Sequence, residues 1–179
     1  ANLWPIGILS EDLEDQLSTL IHYGKRINYI YNYYYANGSS PESIDESIAS
    51  DQWEDVRISK RWSNIYSAAS IWTKLRSLIG SDAVEPNKTQ IEENIEILAQ
   101  MEHNRWVVEE LLLGYRPVNK QEDQAIDNEK TLKSVMKQQY IHYDIRPYEG
   151  LKTDEHGNDV RENDKLIVRN IHLIASPIR

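Results

Sequence analysis

The chain has 179 residues, 29 of them acidic and 20 basic, for a formal net charge of −9, which is enough to form one compact domain or two small repeated halves. It contains no cysteine, which excludes disulfides, Cys-ligated zinc and thiol nucleophiles and suits a reducing compartment, so a cytoplasmic location is expected. The acidic balance argues against a nucleic-acid backbone as partner, whereas free nucleotides remain compatible because a few local cations suffice to hold them.

Ser10 is placed to cap a first helix carrying Leu13, Leu17, Leu20, Ile21, Ile27, Ile30, Tyr31 and Tyr34. The turn residues Ala36 to Pro41 end that helix and open a polar loop reaching to about Trp53. Ser59 caps a second helix with Trp62, Ile65, Tyr66, Ala69, Trp72, Leu75 and Ile79 at helical spacing, and Gly80 stops it. After the turn-rich segment 81–87, Thr89 and Glu92 read as a capping box for a third helix that runs to Gly114. Gln121 to Gln139 is polar, with Leu132, Val135 and Met136 at the spacing of a short helix. Ile141 to Leu151 reads as extended, since Pro147 breaks any helix there, and Asp154 to Asp159 is a solvated turn. A last helix is expected from Val160 to Ala175, ended by Pro177.

The two halves share an order of features. Each has a helix carrying a His (Ile21-His22; Glu102-His103), a loop ending in aromatic-Glu (Trp53-Glu54; Tyr148-Glu149) and a closing helix. Ser63-Asn64 through Ile71 overlays Asn163-Asp164 through Ile171 with the same spacing. The expected fold is therefore mainly α, with two pseudo-repeated helical-hairpin units, 1–86 and 87–179, packed as one helical domain with short extended segments in the loops and a cleft between the halves.

On the third helix, Leu98, Met101, Val108 and Leu112 fall on one stripe and are the expected core face, at about 100° per residue. His103 and Trp106 lie together on a flank of that stripe at i,i+3. They read either as ordinary core against the other half or as an aromatic platform for a ligand. Arg105 projects toward the stripe between Glu102 and Glu109; it reads either as a same-helix ion-pair ladder or as a cation for an anionic ligand.

The run Met101-Glu102-His103-Asn104-Arg105-Trp106, followed by Glu109, Leu111, Leu112, Gly114, Tyr115 and Arg116, closely resembles the bacterial ryanodine-receptor-repeat pattern. The resemblance covers roughly Ile91 to Ala175, including Arg146-Pro147-Tyr148-Glu149-Gly150-Leu151 and Asn163-Asp164. Tyr115 stands where the family usually has Trp, and Pro117-Val118 where it often has Tyr-Gly. The first half resembles the degenerate repeat that precedes it in bacterial proteins, through Ile21-His22, Ser63-Asn64 and Lys74-Leu75-Arg76, with Lys25 where an aromatic is expected. The resemblance implies a tandem helical module, found in bacteria behind a nucleotide-binding Rossmann domain. It also implies a nucleotide or small-ligand pocket whose wall carries the aromatic of the His-x-x-Trp pair. By that route Trp106 and His103 become the leading ligand contacts, with Arg105, Arg116 and Arg146 as cations for an anionic group.

Other chemistry is sparse. His22, His103, His142, His156 and His172 include no pair with the i,i+4 spacing of a helical zinc site, so no metal and no cofactor is expected. The acidic turn lacks the remaining EF-hand positions. Glu102 and His103 diverge by about 100° and no nucleophile is marked, so the chain reads as non-enzymatic. No apolar run approaches the roughly 18 residues of a membrane span, no basic-then-apolar leader opens the chain, and the start at Ala1 reads as that of an excised fragment. The functional expectation is a regulatory module sensing a small nucleotide-like ligand. The alternative is a docking scaffold in a larger assembly, using the tyrosines between Tyr29 and Tyr35, which otherwise read as half-buried packing.

Overall fold

The computed structural model describes residues 11–79, 88–154 and 157–176. Ser10, Gly80, the segment 81–87 with the expected boundary after residue 86, His156 and Pro177 lie outside them. The described residues are mainly α-helical, and the chain divides into two compact units: Ala1–Trp72 with Asn170–Arg179, and Thr73–Arg169.

The first unit is built on α1 (Glu11–Asn37), against which α2 (Glu46–Glu54) and α3 (Ile58–Ala69) pack. The apolar period of α1 places Ile27 and Ile30 in the core with Ala49, Trp53, Ile65 and Ala68, all buried. Gly24 permits the close approach of these helices. A Cβ there would lie 3.1 Å from the Trp53 ring and 3.3 Å from Ile65 Cγ1. Gly38, at φ +71°, ends α1 as the turn residues imply, its N–H donating to the Tyr34 carbonyl. The polar loop expected up to Trp53 is corrected by α2. Asp45 caps that helix through the N–H of Ile48, and Ala49 and Trp53 anchor it. Two buried residues in nine give too weak a period to stand out among Ser, Asp and Glu.

Three expected helices are each divided by one polar residue near the bridge region of backbone space. Ser70 separates α3 from α4 (Ile71–Ile79), and Asn94 separates α5 (Lys88–Glu93) from α6 (Ile95–Leu112). Asn170 separates α9 (Arg161–Arg169) from α10 (Ile171–Ile174). Apolar periodicity runs through such breaks, which is why the sequence reads each pair as one helix. Thr89, expected as a cap, lies inside α5. The breaks before Ile71 and Ile171 fall at the aligned positions of the two halves.

In the second unit α6 packs along α9. The single short helix expected over Gln121 to Gln139 is two helices, α7 (Lys120–Asn128) and α8 (Leu132–Lys137). The first is opened by a capping box between Asn119 and Glu122. The two-residue strands β1 (Arg116–Pro117) and β2 (Ile141–His142) pair in parallel, Arg116 opposite Ile141 and Pro117 opposite His142. Of the stretch expected as extended, only β2 is strand, and Tyr148–Gly150 forms a 3-10 turn after Pro147.

The core face of α6 differs from the expected stripe. Leu98 is buried, but Met101 is half-buried, Val108 is 56% exposed and Leu112 84% exposed. The buried face carries Leu98, Ala99, Glu102, His103 and Glu109. Polar side chains occupy it because each finds a charged or hydrogen-bonding partner there, which a count of apolar residues does not register.

Candidate functional site

α6 and the loop after β2 build the site. Glu102 accepts from Lys74 Nζ at 2.6 Å and from Arg105 at 2.8 Å, and Arg105 also donates to Glu109 at 2.6 Å. Lys74 and Glu102 are almost fully buried, so a four-charge network of two cations and two anions lies under the helix. Burial raises the Glu102 carboxyl, but Lys74 and Arg105 outweigh it and bring its pKa to about 2.

One helical step away, His103 is 2% exposed. Its Nε2–H donates to the Arg146 carbonyl at 2.8 Å, and its Nδ1 faces Asp164 Oδ2 of α9 at 3.4 Å. Burial opposes charging the ring, but Asp164 and the Arg146 carbonyl prevail and raise its pKa. Burial likewise raises that of Asp164, which His103 only partly offsets. The pair therefore holds its protons more tightly than either group would in water.

From His103 a row of rings runs to the surface. Trp106 lies 5.7 Å from His103 and meets His142 edge to face at 4.9 Å. His142 meets Tyr115 at 5.8 Å, and Tyr115 meets Tyr140 at 5.3 Å. At the buried end Tyr148 lies 5.9 Å from His103, its hydroxyl donating to Glu96 at 3.1 Å. Trp106 is half-buried, and Tyr140 is 59% exposed. Desolvation, and secondarily Lys137, lower the His142 pKa to about 4, so Trp106 lies between a proton-retaining imidazole and a neutral one. Tyr140 has φ +58°, a left-handed conformation that a bulky side chain adopts only at a cost. β1 and β2 fix the row, because their parallel pairing of Arg116 with Ile141 brings the preceding residues Tyr115 and Tyr140 level with each other and sets His142, opposite Pro117, two residues further along.

The expected site residues separate into different surroundings. His103 and Trp106 stand together, and Arg146 joins them through its carbonyl only. Its guanidinium turns away, lying 4.1 Å over the Tyr143 ring and pairing with Asp123 at 2.8 Å. Arg105 is held in the buried network. Arg116 is half exposed and forked on Glu122 at 2.7 and 2.9 Å, one residue from Tyr115. Lys74, Asp164, His142, Tyr115, Tyr140 and Tyr148 complete the arrangement. None was among the expected ligand contacts, although Tyr115, Tyr148, Asp164 and Lys74 are among the residues that carry the resemblance, and only the fold brings His142 beside Trp106. Among the described residues no group of three His, Cys, Asp or Glu side chains could hold a metal ion.

Compared with known proteins, the chain matches no family model, and no curated protein or solved structure shows significant similarity to it.

Proposed function

We propose that the chain is a non-catalytic regulatory module of the ryanodine-receptor-repeat type, sensing a small nucleotide-like ligand whose planar ring stacks on Trp106. One observation carries this reading: a half-buried Trp106 set within a continuous row of rings that opens to solvent at Tyr140. Buried tryptophan contributes chiefly to packing, whereas an aromatic row reaching the surface leaves a face for a flat ligand. Of the three arginines, Arg116 is the one suited to an anionic group. Its side chain is half exposed and meets a ligand while still paired with Glu122, whereas Arg105 is committed to a buried network. The matching breaks before Ile71 and Ile171 support a duplicated unit. A chain without cysteine suits the cytoplasm, where an upstream Rossmann-type domain would make this module the sensing arm of a larger switch. No described helix is long and apolar enough to cross a membrane.

The test is calorimetry and thermal shift with mono-, di- and cyclic nucleotides on the native chain and on Trp106→Ala. Binding that Trp106→Ala weakens by about tenfold or more supports the reading, on the basis that a base stacked on an aromatic contributes about 1–3 kcal/mol. No binding, or binding that the substitution leaves unchanged, overturns it.

A docking scaffold is the second reading, favoured by a separate observation. Ile97, Val108, Leu111 and Leu112 form an exposed apolar stripe on α6, opposite its buried polar face. It predicts a partner whose affinity falls on Val108→Asp and Leu112→Asp but not on Trp106→Ala.

A further inference from the structure

We propose that Glu110 is the specificity-determining residue of this site and selects a purine whose edge presents two adjacent N–H donors, as guanine does. The inference rests on the ligand-sensing reading and names the class of ligand.

Glu110 follows Trp106 by one helical turn on α6, so the two side chains rise from the same face about 5–6 Å apart at Cβ. Its backbone carbonyl accepts the N–H of Tyr115 at 3.0 Å, which folds the chain after α6 back over this turn and sets Tyr115 in the row of rings. His142 meets Trp106 edge to face at 4.9 Å, so the imidazole as well as the carboxylate is a neighbour of the Trp106 ring. Among the described residues, the Glu110 carboxylate makes no hydrogen bond and no ion pair. It is half-buried, and that burial raises its pKa. This contrasts with its helix neighbours Glu102 and Glu109, which are both paired with Arg105.

A partly desolvated carboxylate without donors is costly to the free protein, and a ligand bearing donors offsets that cost. The rings beside it call for a planar ligand. The carboxylate has two acceptor oxygens and no proton to give, so it fits an edge of two parallel N–H donors and disfavours an edge that presents a ring nitrogen lone pair. Guanine offers the N1–H and the 2-amino group side by side. Hypoxanthine offers one such donor, and adenine sets an acceptor beside its amino group. The nearby imidazole adds a donor of its own: His142 Nδ1 accepts the Asp144 N–H at 3.2 Å, which leaves the proton of the neutral ring on Nε2.

Calorimetry of the native chain with GMP, IMP and AMP tests the proposal. The expected order is GMP over IMP over AMP, with GMP at least about tenfold tighter than AMP, the scale of a hydrogen bond to a charged group. Glu110→Gln, close in size and on an accessible helix face, is expected to abolish the GMP preference by weakening GMP about tenfold and, because the amide offers a donor as well as an acceptor, to leave AMP no weaker than in the native chain, with an unchanged far-ultraviolet circular dichroism spectrum. Glu110→Asp keeps the charge but withdraws it by one carbon, and is expected to fall between them. If AMP binds the native chain as well as GMP does, or if Glu110→Gln keeps the GMP preference, the role of Glu110 is overturned while ligand sensing at Trp106 stands. If none of the three nucleotides binds, both are overturned.

Discussion

Asp164 Oδ2 lies 3.4 Å from His103 Nδ1, joining α9 to α6 through a buried pair in which both groups hold their protons more tightly than in water. The folded protein thus retains a proton on His103 that the unfolded chain releases near pH 6.5. The stability it contributes is fully present below that pH and is lost as pH rises through the raised pKa of the folded state. Asp164, also raised, acts in the same direction at lower pH. Urea titrations between pH 6 and 9 are expected to show stability falling with pH, and His103→Gln to flatten that fall. A native stability independent of pH over that range would contradict the pairing.

His142 carries the opposite sign. Its folded pKa is about 4, so below pH 6.5 the unfolded chain takes up a proton that the folded one refuses. Stability is expected to fall by on the order of 3 kcal/mol between pH 6.5 and 4. The same titration on His142→Asn checks it, the expected outcome being a shallower acid limb.

The buried charge network predicts strong coupling. Lys74→Met removes one cation from Glu102 and leaves a buried carboxylate partly uncompensated, which is expected to cost about 3 kcal/mol. Adding Glu102→Gln to that variant should restore part of the loss. A double-mutant cycle by chemical denaturation measures this, and additive losses would show that the two groups do not interact.

Arg26 predicts a second site of large loss. It is 3% exposed and donates to the carbonyls of Leu173, Ile174 and Ser176 at 3.2, 2.9 and 2.6 Å, while pairing with Glu46 at 2.7 Å. It therefore closes the end of α10 against α1. A lysine cannot span this fork, so Arg26→Lys is expected to destabilise by about 2 kcal/mol or more in urea unfolding.

Tyr140 separates strain from function. At φ +58°, glycine should be favoured over alanine by about 1 kcal/mol, although both lack the ring. Tyr140→Gly is thus expected to unfold at higher denaturant than Tyr140→Ala, and both to bind a stacked ligand more weakly than the native chain does. Equal stability of the two variants would mean that the backbone is not constrained there.

The helical class and most helix positions were legible because long apolar periods and glycine stops survive in the sequence, as at Gly38 and Gly114, both with positive φ. The helix breaks were not, since Ser70, Asn94 and Asn170 interrupt hydrogen bonding without interrupting the apolar spacing. The face of α6 was misread for a physical reason. Its buried side is polar and its exposed side apolar, so Val108 and Leu112 pointed to a core that Glu102, His103 and Glu109 occupy. Of the site, His103 and Trp106 were visible as an i,i+3 pair, and the same-helix ladder of Arg105 was one of its two readings. Lys74, Asp164 and His142 join them from 29, 61 and 39 residues away in sequence, measured from His103, and no local pattern announces such pairings.

Ligand sensing by this module depends on the stacking of a flat ring on Trp106. NMR of the indole N–H signals of the five tryptophans, followed while GMP is added to the chain, reads this stacking at the ring itself. The Trp106 signal, assigned by Trp106→Phe, is expected to shift first and to saturate, with those of Trp62 and Trp72 unmoved. Saturating shifts confined to Trp62 or Trp72, or none at any tryptophan, would contradict it.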